Sequence, residues 1–193
     1  MRISKRIASA SPLATTAMHG RVDQMKLQGE EVIDFSIAIS HFAAPEAVRR
    51  GVSEMALQQL LPYTAAGGAH GLRARLAEKL RAENEIDARP EEVIVTNGAK
   101  QALYEAMYAM TDPGDTVIVF RPYWPAYLAT SRLLGLDVVL VDLPEVLTDE
   151  LLNSLPPARL LILNNPHNPT GKVFTREELD ALEGWLARTG CGA

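Results

Sequence analysis

Apolar positions fall at helical spacing in the first part of the chain and in short continuous runs in the second. Over residues 15–28, Met18, Val22 and Met25 share one helical face, and Gly29 follows as a stop. Residues 32–35 (VIDF) read as a short strand. Pro45 suits a first helical position and predicts a helix over 45–60. Gly67, Gly68 and Gly71 make a loop before a second helix at 72–82, where Leu72, Leu76 and Leu80 recur four apart. From there strands and helices alternate. Residues 93–96, 116–120, 138–141 and 160–163 are apolar and rich in branched side chains, and they predict buried strands. Helices are predicted over 99–110, 125–134 and 176–188, the last with Thr175 and Glu178 at capping-box distance and Gly190 beyond its end. Such alternation predicts an α/β fold, a three-layer α/β/α arrangement around a mostly parallel sheet.

Composition narrows the class. The chain has 193 residues, 47% hydrophobic and 22% charged, which is globular stock rather than a disordered polymer. At about 100–200 residues per domain, that predicts one domain or slightly more. Nineteen basic against 24 acidic residues give a net charge of −5, which argues against a general nucleic-acid footprint or a polybasic membrane patch. Cys191 is the single cysteine, so a disulfide framework and a cysteine-based zinc site are excluded within the chain. No run reaches the about 18 apolar residues of a membrane span. The basic start, MRISKR, is followed by Ser9, Ser11, Pro12, Thr15 and Thr16, which interrupt any signal-peptide core; the expected setting is cytoplasmic.

Ligands of open α/β sheets sit beyond the carboxyl ends of the strands, so the loops there are the places to look for chemistry. After residues 93–96 comes Asn97-Gly98-Ala99-Lys100-Gln101, leading into a helix. A glycine turn at a helix N-terminus suits an anion, with Lys100 adding charge; an ordinary strand–turn–helix joint reads the same way. After 116–120 comes Arg121-Pro122-Tyr123-Trp124-Pro125, a rigid aromatic wall fit to stack a flat ring or to plug the core. After 160–163 comes NNPHNPTG at 164–171, where Asn168 offers one amide to donate and accept, an Asn-Pro bond is a candidate cis peptide, and His167 reads as structural. The stretch Gly67-Gly68-Ala69-His70-Gly71 lacks the spacing and the preceding strand of a dinucleotide site. The three loops together outline a site for a phosphorylated aromatic cofactor.

In order along the chain, Tyr63-Thr64, Gly68, Leu72-Arg73, VIVTNGAKQAL (93–103), Asp112-Pro113-Gly114-Asp115, Pro122-Tyr123-Trp124 and NPHNPTG (165–171) resemble the class I/II aminotransferases. These are pyridoxal 5′-phosphate-dependent enzymes of fold type I, and the bacterial aspartate and aromatic branch is the nearest. The resemblance extends to about Gly190 and implies a cofactor phosphate held by Gly98, Ala99 and Lys100, with Trp124 stacked on the ring. It also implies that Asn168 bonds the ring's 3-oxygen near the substrate carboxylate, and that Tyr63 reaches a partner's cofactor phosphate in a homodimer. It divides the chain into an N-terminal arm with part of a small domain, 1–44, and a partial large domain, 45–193.

Two departures accompany the resemblance. Residues 36–42 (SIAISHF) stand where the family usually reads Ser-x-Gly-x-Pro-Asp-Phe, so Ala38 brings a methyl group to the substrate carboxylate position. The family's Schiff-base lysine has no counterpart among Lys5, Lys26, Lys79, Lys100 and Lys172, so no catalytic residue is assigned. The expectation is the N-terminal half of an amino acid to 2-oxo acid transaminase, inactive alone. The alternatives are a cofactor-binding fragment that complements a chain carrying the C-terminal half, a decayed gene product, or an incomplete gene model. The family sheet order 3-2-4-5-6-7-1 predicts that the second, third and fourth strands here pair, and that 93–96 is a strand without a neighbour.

Overall fold

The computed structural model describes residues 3–4, 7, 14–36, 38–58 and 63–193. Their contacts gather into two units, one of residues 32–102 and one of residues 103–193 with the described part of 1–31. This grouping cuts the chain at other points than the division at residue 44, which rests on the resemblance. Helix α1 (Ala14–Leu27) ends at Gly29, whose φ of +83° closes the helix as the sequence predicts.

Residues 32–102 hold helix α2 (Glu46–Ala56), helix α3 (His70–Asn84), a 3-10 turn (Pro90–Glu92) and the start of α4 (Ala99–Met110). Pro45 is the N-cap of α2 rather than its first helical residue, and α2 stops at Ala56; the predicted end at 59–60 lies outside the described residues. Helix α3 is longer than its leucine spacing predicts. Its buried residue is Ala77, while Leu72 and Leu76 are exposed. Neither strand predicted in this unit forms. Residues 32–35 are without regular structure, with Asp34 accepting from both the amide and the hydroxyl of Ser36. Residues 93–96 also join no sheet. Val95 donates instead to the Gly67 carbonyl at 2.9 Å, and the Val93 carbonyl accepts from Arg73 Nε at 2.8 Å. A β-rich sequence supplies propensity, but a strand needs a neighbour to complete its ladder.

The larger unit is the layered one. Strands β1 (Thr116–Arg121), β2 (Asp137–Asp142) and β3 (Leu160–Ile162) form a parallel sheet in the order β2-β1-β3, as the family order predicts for these three. Thr116 lies opposite Asp137, and Val117 lies opposite Leu160. Because side chains alternate along a strand, Val117 and Val119 face one side of the central strand, where they pack with Met107 of α4 and Leu134 of α5 (Ala126–Leu134). Ile118 and Phe120 face the other, packing with Leu152 of α6 (Asp149–Ser154) and with Leu182 and Trp185 of α7 (Arg176–Thr189). Four successive buried residues, 117–120, are the signature of a strand covered on both faces. Helix α6 has no counterpart in the sequence reading. Thr148 caps it by accepting from the Leu151 amide at 3.3 Å. No helix among the described residues is long and apolar enough to cross a membrane, and none of the described residues form a His/Cys/Asp/Glu cluster suited to a metal.

Candidate functional site

The turn at the start of α4 is built by its own short hydrogen bonds. Gly98 has φ +84° and donates to the Thr96 carbonyl at 2.9 Å, and the Thr96 hydroxyl donates to the Gly98 carbonyl at 3.1 Å. The Asn97 amide is taken by the Gln101 side chain, and the Gly98 carbonyl accepts from Gln101 and Ala102 to open the helix. Gly98, Ala99 and Lys100 are all exposed. A Cβ on Gly98 would meet nothing within 4 Å, so the glycine answers to backbone conformation and leaves open space above the turn. The loop's footing is tighter, because a Cβ on Gly68 would fall 2.9 Å from the side chain of Val95. Tyr63 and Ala38 belong to the same contact unit; both are exposed, Tyr63 completely so.

In the larger unit, Trp124 and Asn168 follow β1 and β3, which are adjacent and parallel, so both loops leave the sheet at its carboxyl edge. Trp124 is half-buried, and Tyr127 meets it edge-on, with ring centroids 5.6 Å apart at 87°. Burial pushes the Tyr127 phenol up from its ordinary value. The Arg121-Pro122 bond is cis, and Arg121 forms an ion pair with Asp142, tying the ends of β1 and β2. Hydrogen bonding within that pair raises the guanidinium pKa and lowers that of the carboxyl.

Asn168 is exposed on a loop whose backbone is fixed from within. Both Asn-Pro bonds, 165–166 and 168–169, are cis, in line with the sequence reading. The Asn168 amide donates to Asn164 Oδ1 at 2.8 Å, and the Phe174 amide donates to Asn165 Oδ1 at 3.2 Å. His167 is buried, with Nδ1 2.9 Å from the Thr170 hydroxyl, which suits the structural role expected of it. Burial and the neighbouring Lys172 charge lower its pKa and so favour the neutral ring.

The sequence reading passed over Lys172 and Glu178 as a pair. Lys172 Nζ donates to Glu178 Oε1 at 2.8 Å, to the Pro144 carbonyl at 3.0 Å and to the Glu145 carbonyl at 2.5 Å. Glu178 is also held by the amides of Leu147 and Thr175. Burial alone would raise its pKa, but the Lys172 hydrogen bond and the two backbone donors outweigh it and bring the carboxyl down to about 2. The capping box at Thr175 was the available signal for Glu178; nothing local in the sequence marks Lys172 as its partner. The structure thus joins Trp124 and Asn168 on one sheet edge, and holds Gly98, Ala99, Lys100, Tyr63 and Ala38 in the other contact unit.

These loops stand in a chain with well-characterised likenesses. Its sequence is 38% identical over 186 residues to an aspartate/prephenate aminotransferase of Thermus thermophilus, covering 93% of this chain and 48% of the relative. It is 35% identical to an aspartate aminotransferase of Streptomyces avermitilis, covering 98% of this chain and 48% of that one. The structure superposes on the Thermus thermophilus aspartate aminotransferase solved with maleate at a TM-score of 0.92 and 36% identity, covering 99% of this chain and 52% of the other. The chain therefore spans about half the length of the curated relatives it matches. The family model described as aminotransferase class I and II matches residues 30–188, which take in both the Gly98 turn and the two sheet-edge loops. On sequence, on backbone and on the order of its motifs, the chain belongs to the class I and II aminotransferase family.

Proposed function

We propose that this chain serves amino-group transfer from an amino acid to a 2-oxo acid, with pyridoxal 5′-phosphate as cofactor. The observation that carries the reading is the common carboxyl edge shared by the Trp124 and Asn168 loops in a chain of this family. The residues present suit the group. Gly98 leaves open space over a helix start, where the amides of Ala99 and Lys100 and the charge of Lys100 would receive a phosphate. Trp124, braced edge-on by Tyr127, offers a ring face for stacking. Asn168, with its main-chain amide already bonded to Asn164, would give its side chain to the ring's 3-oxygen, and Ala38 would contribute to the binding of a substrate carboxylate. Once bound, the cofactor supplies an electron-withdrawing ring for chemistry at the α-carbon of an amino acid.

Proton transfer at that carbon belongs to a lysine in this family, and none of the five lysines here, Lys26 on α1 included, stands in the matching sequence context. Lys172 is engaged by three acceptors, Lys79 pairs with Glu83 at 3.6 Å, and Lys100 belongs to the phosphate turn. Lys5 lies outside the described residues. These 193 residues alone are therefore expected to bind cofactor without turnover. The full exposure of Tyr63 supports a homodimer in which it reaches the partner's cofactor phosphate. A second reading, complementation by a chain carrying the C-terminal half, is favoured by an apolar groove along β3 lined by Leu103, Met107, Met110, Ile162 and Leu163. A cytoplasmic setting accompanies both readings.

Calorimetric titration of the full chain with pyridoxal phosphate tests the proposal. Saturable binding is expected, weakened at least tenfold by Trp124→Ala and by substituting unphosphorylated pyridoxal. Absence of saturable binding would overturn the cofactor reading. Turnover of an amino acid and 2-oxo acid pair by the chain alone would overturn its expected inactivity.

A further inference from the structure

The exposed ion pairs on α2 and α3 contrast with the pair between Lys172 and Glu178, whose side chains are only 15% and 5% exposed. An ammonium group has three donors. Lys172 places them on Glu178 Oε1 and on the carbonyls of Pro144 and Glu145, so its side chain is tied to the N-terminal turn of α7 and to the segment after β2. Its backbone is tied elsewhere. The Lys172 carbonyl accepts from the His167 amide at 2.7 Å, and the Lys172 amide donates to the Thr170 hydroxyl at 3.3 Å. That hydroxyl meets His167 Nδ1, and the His167 carbonyl accepts from Gly171 at 2.7 Å. Asn168 sits inside this closed circuit, next to His167 and bonded back to Asn164.

We infer that Lys172 is a positioning residue for Asn168: its buried ammonium anchors the loop over residues 164–171 to α7 and the post-β2 segment and so fixes where the Asn168 amide is presented. The importance of Asn168 to ligand binding rests on the proposed function; the anchoring does not. A buried ion pair is a poor source of net stability, because desolvation offsets the attraction, and replacing both partners by neutral groups is often neutral. What such a pair supplies is direction. Here three segments, the loop, the stretch after β2 and the start of α7, meet at one ammonium and one carboxylate.

The test separates anchoring from plain stability. In the full chain, Lys172→Met leaves the Glu178 carboxylate buried without its cation, whereas the double variant Lys172→Met with Glu178→Gln removes both charges and keeps a capping side chain at position 178. The double variant is expected to regain most of the urea midpoint lost by the single one. It is also expected to show amide-exchange protection at His167 and Gly171 reduced at least tenfold, a moved Asn168 side-chain amide signal, and pyridoxal phosphate affinity reduced at least tenfold. Wild-type protection and an unmoved Asn168 signal in the folded double variant would overturn the inference. Should the double variant fail to fold, Glu178→Gln alone is expected to loosen the same amides, and unchanged protection there would overturn the inference equally. If the unsubstituted chain binds no pyridoxal phosphate, the functional reading fails, while the amide signals still decide the role of Lys172.

Discussion

Gly68 seats directly against Val95: a Cβ at position 68 would lie 2.9 Å from the Cβ and Cγ2 of that valine, and the glycine holds a φ of +102°. Two requirements coincide at one residue, a left-handed backbone and the absence of a side chain. Gly68→Ala should destabilise the chain by roughly 2–4 kcal/mol, combining strain at positive φ with overpacking. Gly98→Ala meets the backbone requirement alone, since nothing lies within 4 Å of its added methyl, and should cost about 1–2 kcal/mol. Urea midpoints of the two variants check the order; equal losses would contradict it.

Two phenylalanines should differ sharply. Phe120 is 2% exposed in the core between β1 and α7, and Phe35 is 92% exposed. Phe120→Ala should cost about 3–5 kcal/mol. Phe35→Ala should stay within about 0.5 kcal/mol. Chemical denaturation of both, followed by circular dichroism, is the measurement.

The pair at Glu178 makes stability depend on acid. Its folded pKa of about 2 lies below the ordinary 4.5, so the unfolded chain binds the extra proton between those values. The stabilisation is complete above about pH 4.5 and is lost as pH falls toward 2. Glu178→Gln should flatten the part of the stability profile within that window. An identical acid limb in the variant and the unsubstituted chain would refute the assignment.

Thr148 caps the short helix α6 through the Leu151 amide. Thr148→Ala should cost about 1 kcal/mol, and Thr148→Ser or Thr148→Asp should restore most of it. Thermal unfolding of the three variants distinguishes lost capping from lost methyl packing.

The legible parts of the fold were those in which local pattern and tertiary demand coincide. Residues 117–120 read as a doubly buried strand and are one, and the capping box at Thr175 with Gly190 fixed both ends of α7. Asn-Pro pairing pointed to the cis bonds. Legibility failed where a partner decides the outcome. Residues 93–96 have the composition of a strand, but hydrogen bonding goes to Gly67 and Arg73 rather than to a sheet. Leu72 and Leu76 mark a face that stays exposed, while small Ala77 carries the burial. The constrained backbone of the Trp124 and Asn168 loops was readable because prolines and asparagines signal constraint where they stand. Lys172 was not, because its three acceptors come from distant segments.

The sheet order has a consequence for how the chain is made. β1 is the first of the three strands in sequence and the central one in space, pairing through Val117 with Val138 on one side and Leu160 on the other. A ribosome therefore delivers the middle of the sheet before either border. Until residue 162 has emerged, the strand with the longest buried run in the larger unit keeps an open hydrogen-bonding side, exposed to whatever the growing chain or its neighbours present. Synthesis rate and early chaperone contact should bear on this protein most heavily in that interval.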